Sequence, residues 1–458
     1  MAGEKLEPSP LTWLGGERRL ARRVGRPVRD FLAIEAASGV LLIGATIVAL
    51  VWANSPWSES YFDLLHTHIT IQFGDALTLD ESIEHWINDA LMAIFFFVVG
   101  LEIKRELVAG ELRDPRAAAL PAIGAIGGMV VPALFYVLFN AGGAGADGWG
   151  IPMATDIAFA VGVVALLGNR VPSAMKVFLL TLAIVDDIGA IAVIAIFYTD
   201  DLSVEWLLVA VGITMFVVLM RMARIWYIPA YVFVGGFLWL AVFESGIHAT
   251  IAGVVLGLIT PAHPLRSYSD RDDDDAEQDP HVGAAIAGQA SASVVRRATF
   301  EIRERLSVAE RLEDVLHPFS SFLIIPIFAL ANAGIEISGD SIKDAASSDV
   351  TIGVIVGLVL GKLIGVSIFT WAAVKSGISS LPRGATMTHV VGLAAIAGIG
   401  FTVSLFITNL AFDDPTVIDE AKLGILAASI LAAIVGVLVL SRANEVIEIE
   451  MEDAGIDS

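Results

Sequence analysis

From Val177 to Tyr198 the chain reads VFLLTLAIVDDIGAIAVIAIFY, 22 residues whose only charges are two adjacent aspartates, Asp186 and Asp187. A run that long and apolar crosses the hydrocarbon core of a bilayer as a helix. Each charge at its centre costs about 2.5–3.5 kcal/mol on insertion scales, and a like-charged neighbour adds to the cost. Folding alone gives no reason to keep the pair. Ionisable groups at this depth mark ion or proton pathways, and carboxylates placed there hold either a proton or a metal cation.

The remainder of the chain is suited to the same solvent. Of its 458 residues 56% are apolar and 17% charged, and the mean hydropathy of +0.75 excludes a string of soluble domains. The absence of cysteine excludes disulfides, thiolate metal sites and thiol nucleophiles. Six arginines (Arg18, Arg19, Arg22, Arg23, Arg26, Arg29) lead into a full-length apolar run without a cleavage site, so this segment reads as a retained span rather than a signal peptide. The net charge of −22 owes much to residues 270–279 (DRDDDDAEQD) and to the tail after Glu445. Such acidic stretches read as solvated loops and point to no nucleic-acid partner.

Apolar runs separated by turn residues define an all-α polytopic membrane protein of twelve spans, near 31–53, 86–103, 117–140, 151–169, 174–198, 204–220, 226–243, 246–260, 312–336, 350–374, 388–411 and 422–441. With the arginine-rich end inside, all 28 Lys and Arg fall on the cytoplasmic side except Lys343 in an outer loop, Lys422 at the outer start of the last span and Lys362 in mid-span. That asymmetry predicts a multi-pass protein of the cytoplasmic membrane with both termini inside. The organisation is then a tail (1–30), a membrane body (31–441) and an acidic tail (442–458). The outer connection 54–85 holds THITIQF and ALTL around Gly74-Asp75, an alternation with a turn dipeptide that predicts a small extracytoplasmic β-hairpin. Its free edges suit pairing with a second copy, hence a homodimer within the lipid bilayer. The inner connection 261–311 is acidic, then helix-forming, and leads into the ninth span as an amphipathic segment.

Asp186 and Asp187, consecutive on a helix, point about 100° apart. One of them can face a central cation; the other needs a partner. Lys362, at the centre of GLVLGKLIGVSIF, is the basic residue at that depth, and the rival reading is a lysine that snorkels to the interface. In the fourth span Pro152 precedes Thr155-Asp156, either an ordinary N-cap or an unwound helix lining a polar cavity. The eleventh span carries Gly392, Gly398 and Gly400 followed by Thr402 and Ser404. Spans 3–5 and 10–12 therefore each have an interrupted middle helix, the pattern of inverted-topology repeats whose two unwound helices (spans 4 and 11) cross at a binding site. Facing half-helix ends leave partial charges that Asp156 and Lys362 are able to offset.

These residues occur within GLEIKREL (Gly100 to Leu107), IPMATDIAFAVGVVALLG (Ile151 to Gly168), LAIVDDIGAIAVIAIFY (Leu182 to Tyr198), SGIHATIAG (Ser245 to Gly253), RLEDVLHPF (Arg311 to Phe319), FALANAG (Phe328 to Gly334) and GIGFTVSLFI (Gly398 to Ile407). In order and spacing the chain resembles the NhaA-type sodium/proton antiporters, a family with inverted repeats and a midplane site. The resemblance implies pH-regulated export of Na⁺, and of Li⁺, against H⁺, with no cofactor beyond the transported ions. It implies Asp187 as the main cation and proton carboxylate, Asp186 as its partner bonded in one state to Lys362, and Thr155 with Asp156 at the helix crossing. Paired aspartates with a lysine resemble the electrogenic branch. A second group, Glu102, Lys104, Arg105 and Glu106 with Glu313 and His317, corresponds by resemblance to a pH sensor, whereas on composition alone it reads as a charged helix end at the headgroups. Glu244 and Asp314 depart from residues that are often basic or histidine in such proteins. An intramembrane aspartyl protease, the enzymatic alternative, would need Tyr-Asp and Gly-x-Gly-Asp settings that neither Asp156 nor Asp187 has. An uncoupled cation channel is the other alternative, distinguished by conduction without proton coupling.

Overall fold

The structure, a computed structural model, describes residues 37–262 and 307–443 apart from 75–76, 200–201, 224, 226 and 383. The tail 1–30, nearly all of the connection 261–311 and nearly all of the tail 442–458 lie outside the described residues. Helices follow one another as α1 (Ala37–Ala53), α2 (Ser58–His66), α3 (Ile83–Val108), α4 (Pro115–Asn140), α5 (Ile157–Leu166), α6 (Ser173–Phe197), α7 (Val204–Met222), α8 (Ile228–Phe243), α9 (Thr250–Ile259), α10 (Val308–Asn332), α11 (Gly339–Ser347), α12 (Asp349–Lys375), α13 (Met387–Ile396), α14 (Phe401–Ala411) and α15 (Pro415–Leu440).

Among the described residues eight helical stretches are long and apolar enough to cross a membrane, and up to ten if α1 with α2 (bent 111°) and α13 with α14 (bent 47°) are each one span. The protein is thus a mostly helical, multi-pass membrane protein embedded in a lipid bilayer. The runs expected at 226–243 and 246–260 form α8 and α9, which at 16 and 10 residues fall below that length. Helix starts also differ from the apolar runs, because capping chemistry and not hydropathy sets them. Asp114 accepts a hydrogen bond from Arg116 N ahead of Pro115, and Asp414 accepts one from Thr416 N ahead of Pro415. Lys422 consequently lies seven residues inside α15 and is buried, not at its outer start.

Close backbone approach fixes the central packing. A Cβ on Gly365 of α12 would collide with Gly127 O of α4, so these helices meet through small residues, as membrane helices do where packing rather than the hydrophobic effect drives association. One turn before that contact, α12 widens into a π-helical stretch, Val356–Gly361, immediately ahead of Lys362. Such bulges shift the register of a helix face and recur at functional sites. Two more occur among the described residues, at Ile87–Leu91 in α3 and Ser320–Ile324 in α10.

The connection 54–85 contains α2, which the sequence did not announce, and then the expected hairpin: β1 (His68–Phe73) pairs antiparallel with β2 (Leu77–Ser82), His68 opposite Ser82 and Phe73 opposite Leu77. Gly74 takes a positive φ of 62° at the turn, a conformation open to glycine.

Candidate ion-binding site

Two interrupted helices meet in the membrane body. Ala146–Met153 is 3₁₀-helical, residues 154–156 are extended, and α5 begins only at Ile157. On the other strand of the crossing, α13 ends at Ile396 and α14 begins at Phe401. Each gap frees backbone groups that lipid cannot satisfy. The gaps satisfy one another: Asp156 N donates to Ile399 O (2.7 Å), and the Thr155 hydroxyl lies 2.9 Å from Ala397 O.

Asp156 joins both half-helices through one side chain. Its Oδ1 accepts from Phe159 N (2.9 Å), and its Oδ2 accepts from Thr402 N (3.1 Å) and Thr402 Oγ1 (2.6 Å). The carboxylate therefore caps the N-termini of α5 and α14 together, where the helix dipoles favour negative charge. The N-cap reading and the unwound-crossing reading of this residue describe the same geometry.

Asp186 and Lys362 form a fully buried ion pair, Lys362 Nζ donating to Asp186 Oδ2 and to Thr155 Oγ1 (3.0 Å). The Thr155 hydroxyl is also 2.8 Å from Asp186 Oδ2, so with one proton it donates either there or to Ala397 O. The adjoining Asp187 is buried, and its Oδ1 has no hydrogen-bond partner; neither has Oδ1 of Asp186. Two carboxylate oxygens on consecutive residues are thus unengaged beside a crossing of freed backbone groups. Among the described residues no three His, Cys, Asp or Glu gather as a resident metal centre would require.

A second cluster joins one end of α3 to the start of α10. Arg105 Nη1 pairs with Glu313 Oε1 at 2.5 Å, and Arg105 Nη2 lies 3.6 Å from Glu106 Oε1. Glu313 is buried with its Oε2 unpartnered, while His317 is exposed and within electrostatic reach of Arg105 and Asp314. Glu102 lies one turn before Arg105 on α3.

A family model described as Na+/H+ antiporter 1 matches residues 29–440. The chain belongs to that family. It is 46% identical over 423 residues to Na(+)/H(+) antiporter NhaA 3 of Frankia alni, covering 92% of this chain and 90% of the relative. It is 47% identical over 420 residues to Na(+)/H(+) antiporter NhaA of Rhodopirellula baltica (90% and 92%), and 46% identical over 433 residues to Na(+)/H(+) antiporter NhaA 2 of Myxococcus xanthus (93% and 90%). This is a transporter family, not a family of enzymes. Within it, the expected residues Thr155, Asp156, Asp186 and Lys362 of this chain are joined by hydrogen bonds or by adjacency, with Asp187 beside them. Thr402 is a residue whose contribution to the site the sequence left unassigned: its signal was a hydroxyl two residues after Gly400. The carbonyls of Ala397 and Ile399 gave no signal, since any residue supplies a carbonyl.

Proposed function

We propose that this chain exports Na⁺, and Li⁺, from the cytoplasm in exchange for external H⁺, with net movement of charge and under control of pH. The body is read as twelve spans with both termini inside, α8 and α9 being short spans and segments 3–5 and 10–12 inverted repeats. The positive-inside distribution of Lys and Arg supports that orientation. The observation that carries the reading is the unpartnered Oδ1 of buried Asp187 next to the buried Asp186–Lys362 pair at the crossing of two broken helices. A proton on Asp187 neutralises it covalently; a cation neutralises it by coordination through carboxylate, hydroxyl and carbonyl oxygens. Both cannot occupy the same oxygens, so binding one expels the other.

Competition of this kind yields exchange when the site faces the two sides in turn. Na⁺ entering from the side of the Arg105–Glu313 cluster displaces protons, the repeats rock, and external protons displace Na⁺. Asp186 exchanges Lys362 for cargo during that cycle, and loading two protons for each Na⁺ makes the process respond to membrane potential. Glu102, Arg105, Glu106, Glu313 and His317 regulate it, Glu102 conveying the charge state of the cluster to Asp187. The hairpin pairs two copies into a homodimer.

The test uses proteoliposomes loaded with a pH-sensitive dye. The unmodified chain moves protons on addition of Na⁺, whereas Asp187→Asn folds and inserts but exchanges at under about one-hundredth of that rate. Exchange retained by Asp187→Asn rejects the assignment, and a rate indifferent to pH removes the regulatory role. Sodium flux with no opposing proton movement favours a channel.

A further inference from the structure

From the ion site α14 runs toward the end opposite the Arg105–Glu313 cluster, passing Phe406 about one turn and Asn409 about two turns beyond Thr402. Phe406 is buried against Phe96 of α3 (ring centroids 5.3 Å apart) and Phe328 of α10 (6.3 Å). Beyond this apolar layer lies a polar one. Asn332, in the last turn of α10 and fully buried, donates from Nδ2 to Asn88 Oδ1 (2.8 Å) and Phe328 O (2.9 Å). Its Oδ1 accepts from Asn88 Nδ2 (3.3 Å) and Asn409 Nδ2. The amide thus uses all four of its hydrogen-bonding positions.

Three asparagines among apolar helices are costly unless mutually satisfied, and a contact needing only adhesion would be filled by leucine or phenylalanine. Asn88 sits within the π-helical stretch of α3, a second irregularity at the same place. The network ties α14, which carries Thr402 of the ion site, to α3 and α10, which contribute no hydrogen bond to that site. Directional amide bonds hold one arrangement closely and release it completely when the geometry is lost, as a seam that opens and recloses requires.

We propose that Asn88, Asn332 and Asn409, above the Phe96–Phe328–Phe406 layer, form the outer gate of the exchange pathway, closed in this conformation. For the ion site to open outward α14 must part from α3 and α10 at this seam, while α3 and α10 stay together. The proposal rests on the antiport reading, and its test separates the two.

Because the chain has no cysteine, pairs are introduced without background. Asn332→Cys with Asn409→Cys spans the seam; Asn88→Cys with Asn332→Cys joins the two helices on one side of it. Each pair is reconstituted, and Na⁺-driven proton movement is measured before linking, after a short bifunctional methanethiosulfonate, and after reduction. The expected result is at least a tenfold loss on linking the spanning pair, recovered on reduction, and less than a twofold change for the other pair. Phe96→Cys with Phe406→Cys, also spanning the seam, serves if loss of the asparagines prevents folding. Exchange that continues in a fully linked spanning pair overturns the gate, as does an equal loss in both kinds of pair. No exchange by the unmodified chain sinks the antiport reading itself.

Discussion

Lys362 has no solvent exposure and two acceptors, Asp186 and Thr155. Removing one member of a buried ion pair strands the other and typically costs about 3–5 kcal/mol, while replacing both by neutral groups of similar shape costs far less. Lys362→Ala is therefore expected to lower the thermal midpoint of the purified protein in detergent, and Asp186→Asn combined with Lys362→Met to restore most of the loss. Both variants lose exchange, so stability and transport separate in a single comparison. Midpoints of both variants equal to that of the unmodified chain would show that the pair contributes nothing to holding α6 against α12. Asp156 differs from this pair because its oxygens are occupied by two helix N-termini. Those hydrogen bonds tie the two half-helices of the crossing together.

The contact of α4 with α12 depends on Gly127 and Gly365, where an added Cβ has backbone in its way. Gly365→Val must push the helices apart, a distortion of the kind that costs about 1–3 kcal/mol in packed interiors. Because Lys362 lies three residues earlier on α12, the same displacement draws it from Asp186. The expected outcome is a lower midpoint together with lost exchange, whereas Gly44→Val, where a Cβ meets nothing within 4 Å, changes neither; thermal unfolding and dye-loaded proteoliposomes measure the two effects. The same packing explains what the sequence made legible. Charges inside apolar runs stand out by their cost, so Asp186, Asp187 and Lys362 could be read directly, and the Pro-Thr-Asp and glycine breaks located the interruptions in the fourth and eleventh spans. Asn88, Asn332 and Asn409 could not be read, because amides near the ends of apolar runs look like interfacial residues until tertiary packing brings them together, with Asn332 fully buried. The π-helical stretches leave no mark in hydropathy either. Hydropathy places the start of α15 too late because its first turns carry Thr416, Asp419, Glu420 and Lys422, while the Asp414 cap holds them helical.

At the scale of the whole molecule the hairpin is the one β element among the described residues. Its two strands pair with each other alone among the described residues, and Ile69 and Ile71 of β1 are exposed. A two-stranded ribbon with free edges and exposed isoleucines is marginal by itself, and an edge in that condition gains most by pairing with another copy. Its base is already closed, since Ile83 N donates to Thr67 O at 3.0 Å. Excising residues 68–82 and joining the ends through two glycines should consequently leave α2 and α3 in register. If the hairpin is what joins two copies, the shortened chain runs as a monomer in size-exclusion chromatography with light scattering, and the parent as a dimer. The ion site, the Arg105–Glu313 cluster and the asparagine seam all lie within one chain, so the monomer is expected to exchange Na⁺ for H⁺ within about threefold of the parent rate. A shortened chain that remains dimeric places the interface on the helices; one that is monomeric and inactive shows that the second copy braces the elements against which the ion-bearing helices move.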